Sequence, residues 1–279
     1  MCYTYGMYIA IDIGGTKTLL ALFSERGRLL KRLKMKSHQE QDKWLSELNK
    51  FLPRVLPFRK KAVKAVTISY PGILDGGHPG HAHNLPNWNG AEIEKGVKDL
   101  FENRGVICKI YYKNDADLGA LYECKDFSGK TVYLTFGTGI GGGIVREGHL
   151  ARESAEFEPG HMMKSYRGKR AEWEKIASSK AIRAANNDLD VTKIEKKKAL
   201  DDVACRFEVG LTDLIKKYDP DQIVLSGPII AVFPGFKDTL EKLLSASLGK
   251  TREVPPIYPA KHPQESVIYG AYLYGRSKN

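Results

Sequence analysis

The chain has only four cysteines in 279 residues, Cys2, Cys108, Cys124 and Cys205, and no two of them form a CxxC pair. That scatter argues against a disulfide framework and against a cysteine-built zinc site, and it points to a reducing, cytoplasmic setting. No apolar run reaches the roughly 18–20 residues needed to cross a bilayer, so no membrane partner is expected. The opening residues, MCYTYGMYIAIDIGG, lack the basic segment of a signal peptide. Low-complexity tracts are missing, and so is any recognised DNA- or RNA-binding motif. Acidic charge is in deficit: 33 Asp and Glu stand against 44 Lys and Arg, a net charge of +11. The excess collects at 31–36 (KRLKMK), 59–64 (RKKAVK), 164–170 (KSYRGKR) and 196–198 (KKK). Without a nucleic-acid motif these clusters read as solvated faces, with a polyanionic ligand as the alternative; no nucleic-acid partner is expected.

Glycine is plentiful and unevenly placed, and the apolar periodicity around it alternates between strand and helix. Residues 7–13, 17–24 and 28–36 read as strands, followed by a helix over 41–52 that Pro53 should end. A strand over 62–70 leads to a loop-rich stretch, 73–90, whose His78, His81 and His83 read as surface residues. A helix over 91–104 and a strand over 106–112 come next. The second half opens with a strand over 131–136, a glycine turn and a return strand over 143–147. Helices are expected at 171–187, 197–217, 235–247 and about 264–276, and strands at 222–226 and near 254–258. Each half therefore begins strand, glycine-rich turn, strand, and then alternates helices with strands. This is a structural duplication into two α/β lobes, with a cleft between them as the place for a ligand.

Three motifs carry chemistry. In DIGGTKT (residues 12–18), Gly14 and Gly15 offer positive φ and close backbone approach, and Thr16 and Lys17 offer a hydroxyl, an amide and a cation to a phosphate. Asp12 could hold Mg²⁺ through water. A ligand-free hairpin turn fits the same residues. In TFGTGIGGG (135–143), five glycines in the seven positions 137–143 suit an anion nest around Gly137, Thr138 and Gly139. Neither turn is a Walker A loop. Between the two turns lies Asn114-Asp115, whose carboxylate can accept a hydroxyl proton and whose amide can bind neighbouring hydroxyls; taken alone, the pair also reads as a helix cap. Glu158-Pro159-Gly160-His161 and Glu174 add groups suited to a polyol. Gly227, in Ser226-Gly227-Pro228, could let a flat base lie on backbone.

DIGGTKT, NDA, TFGTGIGGG, ExGH and a closing GAYLYG, in this order over about residues 7–275, resemble the ROK family of repressors, open reading frames and sugar kinases. The resemblance implies a two-lobed actin/Hsp70-like sugar-kinase fold of duplicated ribonuclease H-like domains with an interlobe cleft. It divides the chain into 1–117 plus 263–279 and 118–262. It implies Asp115 as the base at the sugar hydroxyl. Asn84, Asn114, Glu158, His161 and Glu174 would hold the sugar. Asp12 would act near Mg²⁺. Gly14, Gly15, Thr16, Lys17, Gly137, Thr138, Gly139 and Gly227 would serve the nucleotide, and a homodimer is implied.

Many relatives carry a CxCGxxGC zinc motif after the ExGH histidine. Here its three cysteine positions fall on Ser165, Arg167 and Glu172, so no zinc is expected, and His161 must be oriented by other contacts. The implied activity is transfer of a phosphoryl group from ATP to the 6-hydroxyl of a hexose, glucose first, with the lobes closing on the sugar. Polyphosphate is the alternative donor; fructose, mannose or an N-acetylhexosamine are the alternative sugars. A sugar-sensing regulator is the rival from another class. It is disfavoured here because strand 7–13 leaves no room before it for a helix-turn-helix.

Overall fold

The computed structural model describes residues 6–72, 74–82 and 85–279. The chain divides into two compact units, Met1–Tyr122 with Gln264–Asn279, and Glu123–Pro263.

The first unit opens with β1 (Met7–Ile13), β2 (Lys17–Ser24) and β3 (Leu29–Lys36), then α1 (Gln41–Val55) and β4 (Val63–Ser69). A two-residue hairpin, β5 (Leu74–Asp75) and β6 (His78–Pro79), precedes α2 (Gly90–Glu102), β7 (Lys109–Lys113) and α3 (Asp115–Glu123). The sheet order is β3-β2-β1-β4-β7. β1 runs antiparallel to β2 and parallel to β4, which runs parallel to β7. Central strands buried on both faces need apolar residues at consecutive positions, and β1 and β4 supply them. One face packs Trp44, Leu48 and Leu52 of α1 and Ile93, Val97 and Phe101 of α2. Trp44 is fully buried and donates its indole N–H to Thr18 Oγ1 at 2.9 Å, so its one polar atom is satisfied; truncating such a side chain costs about 3–5 kcal/mol.

α1 does not end at Pro53 as the sequence leads one to expect. Proline cannot donate to the carbonyl four residues back, but that carbonyl, of Asn49, accepts from Arg104 Nη2 at 2.9 Å instead. With the orphan satisfied, the helix continues to Val55, and Leu56 N–H closes on Leu52 O.

The second unit repeats the plan with β8 (Lys130–Phe136), β9 (Ile140–Arg146) and β10 (His149–Leu150). The hairpin β11 (Met163–Tyr166) and β12 (Lys169–Glu172) follows, then α4 (Trp173–Ala177), α5 (Ser179–Ala185) and α6 (Lys197–Tyr218). β13 (Gln222–Ser226), α7 (Phe233–Leu248) and β14 (Ile257–Pro259) complete it. Its sheet order, β10-β9-β8-β13-β14, matches that of the first unit strand for strand, with the same parallel and antiparallel senses. The expected helix over 171–187 is two helices, because Ser178 takes an extended conformation and caps α5 by accepting from Ala181 N–H.

The last helix, α8 (Ser266–Ser277), returns to the first unit and packs on the other face of its sheet with Leu118 of α3. The expected division at 117/118 falls inside α3. The units part after Tyr122 instead, since Gly270 of α8 lies so close to the Leu118 carbonyl that a Cβ would stand 1.9 Å from it.

Candidate active site

In the first unit the acidic groups stand at the C-terminal ends of parallel strands, where an α/β sheet presents its ligands. Asp12 is next to last in β1 and pairs in register with Ser69 of β4; β7 delivers Asn114 and Asp115. Asn114 does cap α3: its Oδ1 accepts the Asp117 N–H at 2.9 Å. With that oxygen committed, Asn114 has its amide nitrogen to offer a ligand. Asp115 opens the helix, and its Oδ1 accepts the Ala116 N–H at 2.8 Å. Its side chain reaches solvent, yet the surrounding protein desolvates it and raises its carboxyl above the ordinary range, against the pull of that N–H. The Asp12 carboxyl is pushed up to about 6, first by burial and then by the Asp115 charge, with Ser69 and Lys17 opposing.

The turn 14–17 is closed by Gly14 N–H donating to Lys17 O at 3.0 Å. Neither Gly14 nor Gly15 has positive φ, contrary to the expectation. A Cβ on Gly15 would meet nothing within 4 Å, so its glycine character leaves open space rather than relieving strain. A cavity of about 660 Å³ runs from Asp12 and Lys17 to Arg32 and Lys34 of the basic run in β3. Asn84, with His83, lies outside the described residues.

In the second unit the turn proper is only Gly137–Gly139. Gly141, Gly142 and Gly143 belong to β9, so the return strand begins at Ile140 rather than at 143 as expected. Packing accounts for Gly142, where a Cβ would sit 2.5 Å from the Phe157 ring and 2.8 Å from Tyr133 O. Gly227 has φ +100° and no room for a Cβ, which would lie 2.3 Å from Phe136 O; its close approach is to β8. A cavity of about 890 Å³ adjoins Gly137 and Thr138, with Lys180 and Arg183 on its wall and Ala184, Val191 and Pro228 among its lining. Ser179, Lys180 and Arg183 carry no motif, and sequence reading missed them.

Glu158 precedes a tight 3-10 turn, Pro159–His161, that ends in the histidine. The glycines here make room for one carboxylate: Cβ atoms on Gly139 and Gly160 would stand 2.5 and 3.1 Å from Glu174 Oε2. Glu174 thus sits between the phosphate-type turn and the ExGH turn. His161 is solvent-exposed, and its Nδ1 lies 3.3 Å from Glu172 Oε1. Glu172 also pairs with Lys175 at 2.7 Å, and Lys175 first, then His161, hold its carboxyl below the ordinary range.

The donor atoms of His161, Glu172 and Glu174 lie within 4.8 Å of one another. That set does not fit a structural zinc of the cysteine-rich kind. It holds no thiolate, and at the second cysteine position Arg167 has no lone pair to give and is paired with Asp202.

Among proteins of known identity, an N-acetyl-D-glucosamine kinase of Histophilus somni (strain 129Pt) is 28% identical over 305 residues, 95% of this chain and 97% of its own. A ROK hexokinase from Thermus thermophilus superposes with a TM-score of 0.77 at 23% identity, covering 97% of this chain and 99% of that one. A ROK family glucokinase from Streptomyces griseus, in complex with glucose and AMPPNP, gives 0.75 at 20% identity, covering 98% and 100%. These neighbours have the two-lobed actin-like fold expected from the motifs. The ROK family model matches residues 8–277, nearly the whole length, and on that match the chain belongs to the ROK family.

Proposed function

We propose that the chain is a hexose kinase that transfers the γ-phosphoryl group of ATP to the 6-hydroxyl of a glucose-configured sugar. The observation that carries this reading is Asp115. It is an exposed carboxylate that β7 delivers to the first turn of α3 beside Asn114, where a hydroxyl can reach it, and desolvation by its surroundings shifts its carboxyl upward, the direction that favours accepting a proton. Asn114 would donate its amide N–H to a neighbouring hydroxyl, and Glu158, His161, Glu174 and Asn84 would hold others. Gly14–Lys17 and Gly137–Gly139 would receive phosphates. The second-unit cavity, with cations near its phosphate turn and small apolar residues in its lining, suits a nucleoside better than a bare phosphate chain, which favours ATP over polyphosphate.

Magnesium, when bound, neutralises charge on the transferring phosphoryl group. Asp12 fits such an ion through water, since the Asp115 charge that raises its carboxyl would be offset by a cation. Glucose is the sugar expected from the sequence. The Histophilus somni relative is an N-acetyl-D-glucosamine kinase, and its 28% identity over 95% of this chain supports trying that sugar first, alongside glucose.

The test is ADP release and product analysis with N-acetylglucosamine, glucose, mannose and fructose, each with ATP and with polyphosphate. The expected result is a 6-phosphate formed from a gluco sugar with ATP. A protein that binds these sugars and phosphorylates none would be a sensor, and the reading would fail.

A further inference from the structure

The hairpin that follows His161 is fastened to α6 through two acidic residues, Asp202 and Asp213. Its turn is two residues, Arg167 at φ +50° and Gly168 at φ +75°, the geometry that matches strand twist in a tight hairpin. Asp202 of α6 receives three donors. The Tyr166 hydroxyl and Arg167 Nη2 reach its Oδ1, and Arg206 Nε reaches Oδ2 at 2.6 Å. The Arg206 guanidinium also lies 4.9 Å from the Tyr166 ring centre and donates to Ile176 O at 2.6 Å. About three turns further along the same helix, Asp213 pairs with the largely buried Lys164. The ladder then continues to the site: Met163 opposes Glu172, and Trp173 N–H donates to Met162 O at 2.8 Å. Glu172 therefore closes the ladder opposite Met163, and His161 ends the 3-10 turn two residues before that strand position.

We propose that Glu172 is a positioning residue for His161, and that the Asp202 and Asp213 contacts hold this segment where relatives of the family use a zinc knuckle. Glu172 accepts from Nδ1–H, which leaves the bare Nε2 lone pair of the neutral ring to accept from a substrate hydroxyl. This rests on the reading of His161 as a sugar-binding residue. The donor set argues the same way: Ser165 and Arg167 stand where thiolates would be needed, and Glu172 stands at the third such position, already engaged with His161 and Lys175.

The experiment uses the full chain and its Glu172→Ala and Glu172→Gln variants. In ¹⁵N spectra above the titration range of histidine, the wild type should show His161 with its proton on Nδ1, and Glu172→Ala should move it to Nε2. In kinetics, Glu172→Ala should raise the KM for the sugar about tenfold, the worth of one good hydrogen bond, with kcat and the KM for ATP within about twofold. Glu172→Gln, which keeps an acceptor oxygen, should return to within about threefold of wild type. A zinc-selective chelator should leave the melting temperature unchanged.

An unmoved tautomer in Glu172→Ala, an unchanged sugar KM, or a chelator-sensitive melting temperature with stoichiometric zinc would each overturn the proposal. If no hexose is turned over at all, the kinase reading fails, while the ¹⁵N and chelator arms still decide this one.

Discussion

At the residue scale the account turns on two carboxylates, Asp12 and Asp115, the second of which raises the first. Asp12 holds its proton up to about pH 6 because burial and the Asp115 charge both disfavour its anion. Replacing Asp115 by Asn removes that charge, so the Asp12 titration, followed by ¹³C carboxyl shifts, should move down. A midpoint that stays put would show that Asp115 contributes nothing to it. The same shift has a signed consequence for stability. Between about pH 4 and about pH 6 the native state keeps a proton that the unfolded chain, titrating near 3.8, has lost, so this group makes stability fall as pH rises through that window. Asp12→Asn should therefore gain more stability, relative to wild type, at pH 7 than at pH 4 in urea titrations. The catalytic candidates were legible in the sequence because Asp12 and Asp115 follow apolar strand runs at points where the chain must turn. The glycine chemistry was only half legible. A glycine that opens space (Gly15), one that packs under a ring (Gly142) and one with φ +100° (Gly227) share one letter, and only the neighbours tell them apart.

At the element scale, strands and helices followed their periodicity closely, and the departures trace to particular contacts. Pro53 sits inside α1 because Arg104, 51 residues further along the chain, satisfies the carbonyl it orphans. No sequence window around Pro53 contains that information. Two substitutions follow from it. Arg104→Ala should cost about 1 kcal/mol, by leaving Asn49 and Leu100 carbonyls without this donor. In the Arg104→Ala background, Pro53→Ala should recover part of that loss, since residue 53 then donates to Asn49 O itself. Chemical denaturation of the single and double variants would check the pair; strict additivity would contradict the coupling. Glu172 was visible in the sequence only as the place of a missing cysteine. Its partnership with His161 arises from hairpin register, which a two-residue turn sets and composition does not reveal.

At the scale of the whole molecule, the duplication was legible because both halves open with the same strand, glycine turn and strand, and both sheets carry the same order. The net charge of +11 finds part of its explanation in β3, an edge strand with Lys31, Arg32, Lys34 and Lys36 exposed along it. Cations on an edge strand oppose sheet-to-sheet pairing between molecules. Family membership gives the fold and the order of motifs, and the functional reading rests on one carboxylate, Asp115, that β7 delivers to the first turn of α3. The most direct measurement is therefore the turnover of Asp115→Asn with its best sugar and ATP, alongside calorimetric binding of the same sugar. The account predicts a fall in kcat of about 10²–10⁴-fold, the range expected for loss of a general base, with sugar affinity within about threefold of wild type. Turnover near the wild-type rate in that variant would contradict it.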